Sequence, residues 1–124
     1  MDDLIRIAAF QWLTTQTELL GEVLPRDLLE NRFYFREKRV PLIGPQGIWK
    51  PRIMDLPISI TSIHDGQYSD EVKGGLIKYS YRGTDPYHPS NVGLRNTMLG
   101  SNPKPLIYFT RILPGKYVAN WPVY

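Results

Sequence analysis

Arg32-Phe33-Tyr34-Phe35-Arg36-Glu37-Lys38-Arg39-Val40-Pro41-Leu42-Ile43 is the stretch in which the apolar spacing changes from helical to alternating. Two apolar segments flank the polar Arg36-Glu37-Lys38, which predicts a hairpin. Proline cannot donate to a ladder, so Pro41 puts the second strand at an edge or a bulge. Upstream, Leu4, Ile5, Ile7, Ala8, Phe10, Trp12 and Leu13 predict a helix over 3–16, with Asp2 or Asp3 at its amide end. A short turn follows over 17–23. A second short helix is expected over 24–30, with Pro25 near its first position.

Downstream, 44–52 reads as a loop rich in glycine and proline, and 56–63 alternates as a strand. Residues 64–75 are polar and turn-like. Leu76 to Tyr81 reads as a strand, and 82–89 as a loop. Ser90 or Asn91 caps a short helix over 92–99, closed by Gly100. Leu106-Ile107-Tyr108-Phe109 is a continuous apolar strand, Pro114-Gly115 a turn, and 117–124 a last strand. The expected fold class is α+β: N-terminal helices packed on a mostly antiparallel sheet or partial barrel, with one inserted short helix. A chain of 124 residues reads as one domain, 1–124. Its end directly after a strand suggests a module excised from a longer parent.

Composition narrows the chemistry. The chain has no cysteine, which excludes disulfides, thiol nucleophiles and zinc knuckles. A 42% hydrophobic and 22% charged composition is that of a globular domain rather than a disordered one. No stretch nears the roughly 20 apolar residues of a membrane span. The acidic start lacks the basic region of a signal peptide, so a cytoplasmic address and no membrane partner are expected. Charge is segregated. Residues 1–30, the helical part, hold six acidic and two basic residues, a net −4. Residues 31–124, the β-rich body, carry a net +7, which points to a polyanion.

No phosphate-loop, dinucleotide, nucleophile-elbow or zinc-protease motif is present. His64 and His88 are far apart; a metal site would need both, with Asp65, Asp70 or Asp85. In the loop 44–52, Gly44 and Gly47 allow close backbone approach and Pro45 and Pro51 stiffen it. Trp49 stands between Ile48 and Lys50, with Arg52 beyond. Interleaved aromatic and basic residues suit a nucleic-acid backbone, and equally a structural turn with Trp49 buried and two solvated cations. In the second loop, Arg82 and Arg95 bracket a helix start whose free amides attract phosphate. Asp85 orients an arginine or caps the turn, and Pro86 and Pro89 present apolar rings beside His88 and Val92.

These segments carry a resemblance to a known family. The string from Arg39 to Arg52 is similar to the opening of domains that precede HNH nucleases in bacterial restriction enzymes. So are Tyr81-Arg82-Gly83-Thr84-Asp85-Pro86, with His88 and Asn91-Val92-Gly93-Leu94-Arg95, and the tail Pro105 to Phe109, Pro114 to Tyr117 and Trp121 to Tyr124. The chain thus resembles the sulfur-binding domain of type IV, modification-dependent restriction endonucleases. The resemblance implies binding to double-stranded DNA carrying a phosphorothioate link. It implies a sulfur pocket at Tyr87, His88, Pro89 and Val92. Lys50, Arg52, Arg82, Arg95, Arg111 and Lys116 are the candidate phosphate-binding cations, and Gln46 and Asn91 the candidates for base readout. No HNH segment occurs in the chain, so it is expected to be a recognition module and not an enzyme. It would need no cofactor or metal, and be fused to a nuclease in the full-length protein.

Other readings stay open at this stage. A reader of methylated cytosine would stack a flipped base among Tyr79, Tyr81, Tyr87 and Trp49. A small metal-dependent nuclease or hydrolase would use His64, His88, Asp70 and Asp85. A protein-interaction domain would carry its basic face incidentally.

Overall fold

Helix α1 (Asp2–Leu20) places Ile5, Ala9 and Leu13 in one buried stripe at four-residue spacing. The computed structural model of the chain describes residues 1–62 and 103–124, together with the backbone of 71–73 and 76–78. The helix outruns the expected 3–16. The Thr14, Thr15 and Thr17 hydroxyls donate to the carbonyls of Phe10, Gln11 and Leu13, four residues back, so these side chains bond within the helix rather than ending it. Gly21, at φ 89°, ends it.

The expected second helix splits in two. Val23–Pro25 form strand β1, and only Arg26–Asn31 form α2. Strand β1 pairs along the C-terminal strand, with Val23 opposite Val118 and Pro25 opposite Lys116, on a sheet edge where proline is tolerated. The hairpin is real but short, with β2 (Tyr34–Phe35) and β3 (Lys38–Arg39). Val40 to Ile43 leave the ladder. Their side chains Val40, Leu42 and Ile43 enter the core instead, and the Leu42 amide donates to Leu29 O at 2.9 Å.

A two-residue strand β4 (Ile48–Trp49) lies inside the segment expected to be all loop. It pairs with β5 (Ser59–Ser62). The polar stretch read as turn contains β6 (Glu71–Lys73), which pairs with β7 (Leu76–Lys78) as a separate two-stranded sheet. Strands β8 (Leu106–Leu113) and β9 (Lys116–Val123) form the long C-terminal hairpin. The main sheet runs β1-β9-β8-β5-β4. Its pairings are antiparallel except β5 with β8, which are parallel. The class is α+β, with an open mixed sheet and no closed barrel among the described residues. The helix expected over 92–99 lies outside the described residues.

The sheet is buried on both faces where β5 and β8 meet. Ile107 and Phe109, with Ile58 just ahead of β5, pack with α1, Leu24, Leu29, Leu42 and Met54. The alternates Leu106 and Tyr108 pack with Ile60, Ile48 and Val123 on the other side. A strand buried on both faces reads as a continuous apolar run, which is why Leu106 to Phe109 shows no alternation.

One polar device joins these parts. Arg6 is 1% exposed, and its two terminal nitrogens donate to Pro105 O at 2.8 Å and Pro57 O at 2.7 Å. Those carbonyls lie just ahead of β8 and β5. The Asp2 carboxylate accepts from the Asp55 and Leu56 amides, and Asp3 pairs with Lys104 at 3.1 Å. Burial lowers the Arg6 pKa, while Asp2 and Asp3 act in the raising direction. Its ordinary value is so high that the group stays charged.

Replacing Arg6 by leucine strands the buried Pro57 carbonyl and the half-buried Pro105 carbonyl, each at a cost of about 1–3 kcal/mol. Arg6→Leu should therefore lower stability by about 3 kcal/mol and the Tm by roughly 10 °C. Urea and thermal unfolding check this; an unchanged Tm would show that water replaces the guanidinium.

Candidate nucleic-acid interface

Strand β4 brings the loop 44–53 against the sheet. The Thr61 amide donates to Gly47 O at 2.8 Å and the Ile58 amide to Trp49 O at 2.9 Å. The Trp49 indole lies flat on Gly44: a Cβ there would come within 2.1–2.4 Å of its ring atoms. Its Nε1–H donates to Pro41 O at 2.9 Å. Gly44 is therefore required by close approach to a ring, not by a turn.

Behind this loop, Arg26 acts as a clamp. Its Nε pairs with Glu30, Nη1 donates to the Tyr117 hydroxyl at 3.0 Å, and Nη2 donates to Gly44 O at 3.0 Å. Burial alone would lower the Arg26 pKa, but the bonds to Glu30 and Tyr117 outweigh it and leave it raised. All three nitrogens are thus committed inside the protein.

In front of the loop lies an open groove of about 600 Å³. Pro41, Trp49, Pro51 and Ile53 form its apolar part, and Lys38, Arg39 and Arg52 its charged part. Among the described residues, no carboxylate lines it. Lys38 and Arg52 make no ion pair among the described residues, and Arg39 donates only to the neutral Asn31 side chain at 2.6 Å. A smaller cavity of about 170 Å³ shares Arg39, Pro41 and Trp49 with the groove and is lined also by the Arg26–Glu30 pair.

The sequence candidates divide accordingly. Arg52 lines the groove. Lys50 does not; its Nζ donates to Met54 O at 3.0 Å and ties the loop to itself. Gln46 is exposed on the bend before β4, away from the groove lining. Arg111 and Lys116 are exposed on the β8–β9 hairpin, opposite Tyr117 and Leu113, and line neither cavity. Tyr87, His88, Pro89, Val92, Arg82, Arg95 and Asn91 lie outside the described residues, as do His64, Asp65, Asp70 and Asp85. Among the described residues, no three His, Cys, Asp or Glu side chains gather as a metal site, and no helix is long and apolar enough to cross a membrane.

Sequence reasoning missed Lys38 and Arg39. They read as turn and strand residues, and only the density of cations at 32, 36, 38 and 39 marked that segment. What brings them to Arg52 is the segment 40–43, whose Val40, Leu42 and Ile43 enter the core while Pro41 O accepts from the Trp49 indole.

Gly44→Ala should displace the Trp49 ring, costing about 1–3 kcal/mol as an overpacked site. It should also change the tryptophan emission, with Trp49→Phe assigning the signal. Wild-type stability and emission in Gly44→Ala would mean the ring has room to move aside. Comparison with family models, with curated proteins and with solved structures finds no match for this chain.

Proposed function

We propose that this chain binds double-stranded DNA and recognises a phosphorothioate link in its backbone. The observation that carries the DNA part is the groove: Lys38, Arg39 and Arg52 converge on an apolar surface with no carboxylate among the described residues that line it. A phosphate placed there meets positive charge and releases its counterions. The sulfur part is supported by the family resemblance, which puts the sulfur at Tyr87, His88, Pro89 and Val92. Sulfur is larger and more polarisable than oxygen and a weaker hydrogen-bond acceptor. Against apolar side chains it loses little hydration. A phosphate oxygen in the same place would lose its water partners, at roughly 1–3 kcal/mol. That corresponds to roughly ten- to hundredfold discrimination.

On this reading the chain is the recognition module of a modification-dependent restriction system in a bacterial cytoplasm. Cleavage belongs to a nuclease domain of the full-length protein. Groove cations supply affinity for any duplex, and the sulfur pocket supplies selectivity.

The test is an anisotropy titration of a duplex with one stereodefined phosphorothioate against the same duplex unmodified, in several base contexts and across salt. The thioated duplex should bind at least tenfold more tightly. The three groove contacts contribute about −2.7 to the log–log salt slope, at about 0.9 per neutralised phosphate. Arg52→Ala should weaken both duplexes and flatten the slope by about 1. Pro89→Ala should erode the preference for sulfur more than it erodes binding. Equal affinity for both duplexes overturns the sulfur reading, and tighter binding to methylated duplex moves the mark to a base. No binding to either at low salt overturns DNA recognition altogether.

A further inference from the structure

The β2–β3 hairpin is built in a way that its fold does not require. Its turn residues Arg36 and Glu37 have φ of 49° and 69°. A two-residue turn of this hand strongly favours Asn-Gly, because side chains with a Cβ are strained there. Such strain persists where the surroundings impose it, often at functional positions. The hairpin also holds little of the core. Tyr34 is 57% exposed, and Arg36, Lys38 and Arg39 are exposed as well. It is fastened at its base by the buried Phe33, whose carbonyl accepts from the Val40 amide at 2.9 Å.

Its chemistry has one direction. The Arg36 guanidinium stands over the Phe35 ring, 5.1 Å from the centroid, which positions it without neutralising it. Arg36 and Lys38 have no ion pair among the described residues. Tyr34 lies opposite Arg39 in the ladder, so both side chains stand on one face of the hairpin. Arg39 and Lys38 already line the groove. The turn lies two cross-strand pairs beyond Arg39, about 7 Å at ~3.3 Å per pair. Phosphates of one DNA strand recur about every 3.4 Å of helix axis. A backbone seated at Arg52 and Arg39 therefore has further phosphates within the span of the hairpin.

We infer that the β2–β3 hairpin is an arm that extends the groove along the duplex backbone. Arg36, held over Phe35 on the Lys38 face of the hairpin, takes a phosphate beyond those at Lys38, Arg39 and Arg52. This inference rests on the proposed DNA-binding reading and adds a longer, sequence-independent footprint to it. Glu37 is the one carboxylate on the arm and opposes binding.

The experiment compares Glu37→Gly with the double variant Arg36→Asn/Glu37→Gly in the full chain, by duplex anisotropy across salt and by thermal unfolding. Glu37→Gly should bind at least as tightly as the parent and melt no lower. The double variant has the preferred turn sequence and should also melt no lower. Relative to Glu37→Gly it should bind about eightfold more weakly at 0.1 M salt, with the slope flatter by about 0.9, for one lost phosphate contact. The ratio between thioated and plain duplex should not move. Equal binding by the two variants overturns the arm, and so does a loss of affinity that tracks a fall in Tm. If Arg52→Ala still weakens binding in that case, the groove reading stands and the arm alone fails. If Arg52→Ala is silent too, both fall.

Discussion

A guanidinium held between two backbone carbonyls organises this molecule. Arg6 reaches from the buried stripe of α1 to Pro57 O and Pro105 O, the chain segments that lead into the two parallel strands. Parallel strands have no tight turn to set their register, because a long connection separates them. Here Arg6 binds both approaches at once, and the Ile107 amide completes the junction on Ile58 O at 2.9 Å. Proline suits both positions, since each needs only to offer a carbonyl. The acidic first turn belongs to the same device: Asp2 and Asp3 fasten the flanking chain and offset the charge that Arg6 brings inside.

The groove depends on that junction at one remove. With β5 in place, β4 pairs along it and sets Trp49 at a fixed height on the sheet edge. Trp49 then bonds Pro41 and covers Gly44, so the hairpin ahead and the loop behind are both tied to one indole. Arg26 locks the underside by linking α2, β9 and Gly44. Two arginines thus serve the interior, and three cations are left facing an apolar surface. A polyanion site needs this division, because a cation already paired inside the protein has little left to give a phosphate.

The acidic character of residues 1–30 is explained by structure more than by repulsion of nucleic acid. Asp2, Asp3 and Glu30 each have a partner inside the fold. The net +7 of the remainder is not spread evenly, for the hairpin alone carries Arg36, Lys38 and Arg39, the last two of them lining the groove with Arg52. Net charge pointed to a polyanion; the geometry supplies a place with the shape and polarity to receive one.

The sequence alone determined the class of the fold and the location of its strong elements. The apolar stripe of α1, the continuous run of β8, the Pro114-Gly115 turn and the hairpin around Arg36 are local patterns, readable because period and turn chemistry act over a few residues. It also marked Trp49 and Arg52 as neighbours of interest. Tertiary structure alone decided the rest. Strand β1 was hidden in a helical pattern because its pairing partner is over 90 residues away, and β4 was hidden in a loop because a two-residue strand has no period. The parallel pairing of β5 and β8 and the burial of Arg6 both depend on atoms distant in sequence. Lys38 and Arg39 became groove residues only because Val40, Leu42 and Ile43 left the ladder for the core, a choice made by the packing they join rather than by their own propensity.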